Sequence, residues 1–393
     1  MKKILSLVLA LLMLAVMLPV TAMADEANYC TIEGVEGKFD TLTAAAKAWR
    51  ESKQIVTEGS TLGGHPAELT EVESIVWNIY GTVPAGDGAG VIGTSGSILS
   101  GGYITPSITI KNVTVNGYNN AIITKTGDPY VSCGANNVAF ANITFADTMR
   151  NDSNPGSLTF TNCTFKADLR MPHAGANSTL KVENCTFTGE VSSDYAIFVQ
   201  GTMTNVVLSG NNISGYQRGV NVQADSTATV SITGNTITNL TGYTENDQTY
   251  GAAIQLTTGR EFIITNNKID VNTGNAFRFY SGLDADVTIS DNIIKAPYLV
   301  WNQAELPNEK ITSQDNKLTI TNPNKAATSD GALEDATVIK AAPTQIVIIT
   351  PTGDTPKTED QKNPSTGAND MVAAAAALMA VSALGMAVLS RKK

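Results

Sequence analysis

Five short segments of this chain alternate apolar and polar residues so that polar side chains can line one face. They are residues 196–200, 219–223, 253–257, 276–280 and 298–302. A period of two sets Ile197/Val199, Val220/Val222, Ile254/Leu256, Phe277/Phe279 and Leu299/Trp301 inward. One outward file then runs Phe198, Asn221, Gln255, Arg278, Val300, and the next runs Gln200, Gln223, Thr257, Tyr280, Asn302. Amides, a guanidinium and a phenol in a flat array can hydrogen-bond to a glycan and stack on it. Asp194 and Arg218 precede two of the segments and flank the same face. The loop at 238–251 carries Tyr243, Glu245, Asp247 and Tyr250, and loops on one edge are where function tends to sit. Asp194, Arg218, Asn221, Gln255, Arg278 and Tyr280 are therefore the candidate ligand-binding residues. The plainer alternative is an ordinary polar sheet face, since polar-out alternation is general.

Catalysis asks for more than this face supplies. A lyase acting on uronates needs a cation to neutralise the carboxylate and a base near the proton removed. A glycoside hydrolase needs two carboxylates at a defined separation. Arg218 and Arg278 are present, but no acidic cluster would hold calcium through several oxygens. Asp194 and Asp247 stay candidates because loops can bring them close. His65 and His173 are too few and isolated for a histidine metal site, and the four cysteines show no metal-ligand spacing. There is no phosphate-binding glycine loop and no G-x-S-x-G elbow. No catalytic residue, metal or cofactor is assigned.

The chain ends speak to location. Lys2 and Lys3, an apolar stretch at 4–20 and Ala22-Met23-Ala24 before Asp25 have the form of a cleaved secretory signal. Residues 371–389 form an apolar run long enough to cross a bilayer, followed by Arg391, Lys392 and Lys393. Just before it stand Asn363, Pro364, Ser365, Thr366 and Gly367. This arrangement resembles the cell-wall sorting signal of Gram-positive surface proteins, with Asn363 where leucine is usual. The resemblance implies a sortase that cuts between Thr366 and Gly367 and joins Thr366 to peptidoglycan. A plain single-span membrane protein is the alternative. Loss of both ends takes the net charge from −10 to −14, which argues against nucleic acid or an anionic membrane as partner.

What must position the polar face is a repeat. Apolar-x-apolar-x-x-x-x-apolar recurs from Ile108, Val138, Leu158, Leu180, Val206, Val230, Phe262, Val287 and, more weakly, Ile311, at intervals of 20 to 32 residues. Short alternating strands at such a period signal a β-solenoid. The fifth position holds Asn112, Asn142, Asn162, Asn184, Gly210, Gly234, Asn266, Asp291 and Asp315, residue types that tolerate a left-handed bend. The sixth holds Val113, Ile143, Cys163 and Cys185, then Asn211, Asn235, Asn267, Asn292 and Asn316. At a strand spacing of about 4.8 Å, stacked asparagines can bond amide to amide and satisfy one another. These are read as a structural ladder. Cys163 and Cys185 occupy the same inward position in adjacent coils and are read as buried thiols.

These features resemble the pectate-lyase-like right-handed parallel β-helices. The resemblance covers about 104–320 and implies an all-β fold, three strands per coil and roughly nine coils. In carbohydrate-acting relatives the first-strand face and its loops form the substrate groove. Residues 39–50, with Leu42, Ala45, Ala46 and Trp49 on one side, predict a helical N-terminal cap. The expected organisation is a signal at 1–24, cap and irregular coils at 25–103, β-helix at 104–320, last strands or C-terminal cap at 321–350, a wall spacer with the motif at 351–370, and span and tail at 371–393. Three functions fit: a wall-anchored adhesin-like protein binding a polysaccharide or host glycan, a surface-anchored lyase or hydrolase, and a stalk without a dedicated ligand.

Overall fold

The computed structural model describes residues 28–52, 70–85, 108–125, 131–133, 137–151, 156–190, 194–245, 248–321 and 345–348. The expected signal at 1–24, the spacer at 351–370, the motif at 363–367, the span at 371–393 and Asp247 lie outside the described residues. Among the described residues no helix is long and apolar enough to cross a membrane.

Short strands whose inward residues are apolar cannot bury that face alone, so they stack. The result is an all-β parallel solenoid of about seven turns. One ladder joins Met149–Asn151, the opening residues of Leu169–Glu183 and of Tyr195–Ser209, then Arg218–Gln223, Ala252–Thr258, Asn275–Phe279 and Tyr298–Asn302. A second joins Asn137–Ala141, Ser157–Thr161, the closing residues of the same two long strands, then Thr229–Thr233, Glu261–Thr265, Asp286–Ser290 and Ile311–Gln314. A ladder of shorter strands runs from Thr144–Phe145 to Lys317–Ile320, which also pairs with Gln345–Ile348. Inside, equivalent side chains stack layer on layer. Phe145, Phe165 and Phe187 form one such file, with ring centroids 5.0 and 4.5 Å apart.

Between the second and third ladders the chain must turn within a residue or two. Asn142, Asn162, Asn184, Gly210, Gly234, Asn266, Asp291 and Asp315 all take positive φ there, between 53° and 67°. The first repeat departs from expectation. Asn112 pairs with Asn137 inside a strand, and Val113 and Val115 pair with Val138 and Phe140. The repeat unit therefore begins five residues later than the pattern from Ile108 implied. The left-handed residues are Asn119 and Asn120 instead.

The next residue of each bend points inward. Asn211, Asn235, Asn267, Asn292 and Asn316 are at most 1% exposed. The Nδ2 of each of the first four donates to the following Oδ1 at 2.9–3.0 Å, and Asn316 Nδ2 ends the file on Ile289 O and Ser313 Oγ. That oxygen also accepts the preceding backbone N–H at 2.8–3.0 Å. The second Nδ2 hydrogen goes to a strand carbonyl, for example Asn267 to Ile232 at 2.8 Å. Cys163 and Cys185 are free, buried thiols that extend the file. The Cys185 N–H donates to Asn211 Oδ1 at 2.9 Å, and the Cys163 N–H donates to Cys185 Sγ at 3.4 Å.

One end is closed by the helix Leu42–Ser52. Thr41 Oγ1 caps it by accepting the Ala44 N–H at 3.0 Å. Leu42, Ala45, Ala46 and Trp49 are buried in the same core as Cys30 and Ile32. The strand Tyr29–Ile32 adds antiparallel to Thr70–Pro84, so the first strand edge is paired.

Candidate functional site

The first ladder carries an outward file in strict layer-to-layer register. It runs Arg150, Arg170, Phe198, Asn221, Gln255, Arg278, Trp301. The last member corrects the sequence expectation. Val300 pairs with Phe277 and Trp301 with Arg278, so Trp301 stands outward and Val300 inward. A one-residue slip moves every side chain to the opposite face. The neighbouring file shifts too, because Gln223 pairs with Thr258 rather than Thr257.

Arg278 has its guanidinium carbon 4.1 Å from the centroid of the Trp301 ring and 5.0 Å from that of Tyr280. Its Nε–H donates to Gln303 Oε1 at 2.8 Å. Arg218 lies between Tyr195 and Tyr243, at 3.9 and 4.7 Å from their ring centroids. One terminal nitrogen of Arg218 is ion-paired to Asp194. Its Nε is buried and has no hydrogen-bond partner among the described residues. Burial, then the nearby charge of Arg278, lowers the Arg218 pKa from its ordinary value. A guanidinium starts so high that it stays charged at neutral pH.

Tyr243 reaches Arg218 from a short antiparallel pair in the loop at 238–251, Tyr243–Glu245 with Gln248–Tyr250. Its base is tied to the solenoid, Thr241 N–H to Tyr216 O at 2.8 Å and Gly242 N–H to Gln217 O at 3.0 Å. Gly274 (φ +72°) lies so close that a Cβ there would stand 2.4 Å from Gly251 O.

Asn221 and Gln255 form the floor of this site. They are 5% and 4% exposed, under Tyr195. Tyr195 O–H donates to Gln255 Oε1 at 2.9 Å, Gln255 Nε2 to Thr257 Oγ1 at 3.2 Å, and Thr257 O–H to Asn221 Oδ1 at 2.9 Å. Burial pushes the Tyr195 phenol up from its ordinary value, so it acts as a neutral donor. Asp194 is engaged by Arg218. Among the described residues no group of three or more His, Cys, Asp or Glu is placed to hold a metal ion.

Tyr195, Trp301, Arg150 and Arg170 were not singled out in the sequence. Tyr195 has inward parity, yet its ring lies stacked at 5.8 Å from Phe198 on the outer face. Arg150 and Arg170 sit on strands interrupted by insertions. Their signal was the short alternation Met149-Arg150-Asn151 and Leu169-Arg170-Met171. Arg170 is paired with Asp168, a buried carboxylate that also accepts the Thr148 O–H at 2.7 Å. Four of the chain's seven arginines thus belong to one ladder.

Residues 148–322 match the family model described as a right-handed beta helix region. The solenoid is accordingly a right-handed β-helix. Neither the curated proteins nor the solved structures compared with the chain gave a match.

Proposed function

We propose that this chain is a wall-displayed β-helix that binds an acidic polysaccharide along its first ladder, in an adhesin-like role. The observation that carries the reading is the strip of arginines and aromatic rings on a chain of net charge −10. Arg170 and Arg218 are ion-paired to Asp168 and Asp194, whereas Arg278 donates to the neutral Gln303, so its charge can favour an anionic ligand. Guanidiniums stacked on rings are partly desolvated and pre-oriented, so less order is lost when they meet a carboxylate or sulfate. Tyr280, 40% exposed beside Arg278, adds apolar surface for the C–H face of a sugar, while the buried Trp301 ring backs the guanidinium.

The test is binding of the full chain, purified in mild detergent, to polyuronate, sulfated and neutral glycans. Affinity for the acidic glycans is expected to fall with added salt. The double variant Arg278→Ala/Trp301→Ala should weaken it by about 100-fold, or ~2.7 kcal/mol. Arg278→Lys should lose about tenfold, because an ammonium keeps the charge but not the stacked plane. Acidic-glycan affinity that is indifferent to salt and unchanged in the double variant would sink the proposal. Release of unsaturated product, absent in Arg278→Ala, would replace it with the lyase reading.

Display on the wall rests on Asn363 to Gly367 with the apolar run and basic tail behind them. In a Gram-positive host, Thr366→Ala is expected to move the chain from the wall digest to the membrane fraction. An unchanged distribution between the two fractions would favour a plain membrane anchor.

A further inference from the structure

A different face, on the N-terminal turns, carries a second aromatic array. Tyr29 pairs with Tyr80 across the antiparallel strands, and Tyr80 with Tyr118 across the parallel ones. The rings stack with centroids 4.7 and 5.1 Å apart and interplanar angles of 21° and 17°. Inward neighbours on the same strands, Cys30, Ile79 and Trp77, fill the core, so the tyrosines are surplus to it. Beside them runs a polar file in register, Thr31, Asn78, Asn116. The Lys38 ammonium lies 4.1 Å from the Tyr29 ring centroid and covers that end of the stack. At the other end Tyr118 is 46% exposed. It is followed by the exposed Asn119 and Asn120 in the left-handed conformation, which places two more amides at the bend.

We propose that this stack is a second ligand site, taking a neutral glycan that packs the C–H face of a pyranose on Tyr118. Charge decides between ligand classes. Tyr29, Thr31, Asn78, Tyr80, Asn116 and Tyr118 carry no formal charge, and the Lys38 ammonium sits at the Tyr29 end, away from Tyr118, whereas the first ladder gathers arginines. Burial and the flanking phenols push Tyr80 up from its ordinary pKa, so its hydroxyl is a neutral donor. Phenol edges, hydroxyls and side-chain amides ask for a partner that offers C–H faces and hydroxyls together. A neutral sugar chain supplies both without a charge to desolvate. A purely structural role is the competing account, since stacked cross-strand rings also stabilise a sheet.

The experiment is saturation-transfer NMR on the full chain in detergent, with neutral glucan, xylan and mannan oligosaccharides as probes. Saturating the tyrosine ring protons should transfer to sugar C–H protons. Tyr118→Ala is expected to weaken binding about tenfold. Tyr118→Phe should retain most of it, and Asn120→Ala should weaken it less than Tyr118→Ala. Arg278→Ala should leave it unchanged, which separates this site from the first-ladder face. Unfolding midpoints of each variant distinguish lost contact from lost fold. No transfer to any neutral probe, or transfer indifferent to Tyr118→Ala in a folded variant, would overturn the proposal.

Discussion

Replacing Asn267 by alanine is expected to destabilise the folded chain by about 4 kcal/mol. The size follows from what is left behind. Asn267 Oδ1 accepts both the backbone N–H and the Nδ2 of Asn235, at 2.8 and 3.0 Å. Its Nδ2 donates to Ile232 O and Asn292 Oδ1, at 2.8 and 3.0 Å. Asn235 Nδ2 keeps Leu208 O, and Asn292 Oδ1 keeps the Asn267 N–H. The Asn235 N–H is orphaned, and the Ile232 carbonyl, in a strand paired on both sides, loses its amide donor, in a core where the Asn267 side chain is 1% exposed. Each orphaned buried group costs about 1–3 kcal/mol. Cys163→Ala, at the equivalent position, should cost only about 1 kcal/mol, because its thiol makes weak contacts at 3.5–3.7 Å. Urea titration followed by circular dichroism gives both numbers. Hydrogen exchange should show the Asn235 amide opening first. A loss below about 1 kcal/mol for Asn267→Ala would mean that water can enter the ladder.

The contrast between bends and faces explains what the sequence could convey. A left-handed bend is a one-residue problem, so Asn142, Asn266 and Asp315 mark it by type alone. An inward amide beside it repeats at the coil period, so the ladder residues stand out as well. Register over a strand is different. Near Tyr298–Asn302 the preceding Pro297 and a slip of one residue reverse inside and outside, and period two cannot reveal that. At Ile108–Thr124 an apolar pattern fits two registers, and pairing with Asn137–Ala141 selects the later one. The candidate face was legible in Arg278, Arg218 and Tyr280. Its roof was not, since Tyr195 over Gln255 joins residues 60 apart. Burial of Asn221 and Gln255 under that roof is a product of layers that stack in space, not of neighbours in the chain.

Phe165→Ala should cost about 4 kcal/mol, the range for emptying a large aromatic from a packed core. Phe165 stacks on Phe145 at 5.0 Å and on Phe187 at 4.5 Å, and meets Phe160 edge-on at 5.3 Å. All four rings are fully buried. The rigid stack between strands cannot collapse far, so the cavity stays. Phe165→Leu refills most of that volume and is expected to cost less than half as much. A second consequence distinguishes this site from an ordinary core. In a solenoid each turn touches only its neighbours, so stability passes along the axis through such contacts. Weakening the layer at Phe165 should uncouple the turns before it from those after it. Scanning calorimetry is then expected to resolve a single unfolding transition into two in the alanine variant. The Tyr29, Tyr80 and Tyr118 stack lies on one side of that layer, and Arg218, Arg278 and Trp301 lie on the other. Most of the tryptophan fluorescence change, from Trp49 and Trp77 before that layer, should follow the earlier step, while acidic-glycan binding persists to the later one. One unsplit transition with a full 4 kcal/mol loss would instead make the whole β-helix a single cooperative unit.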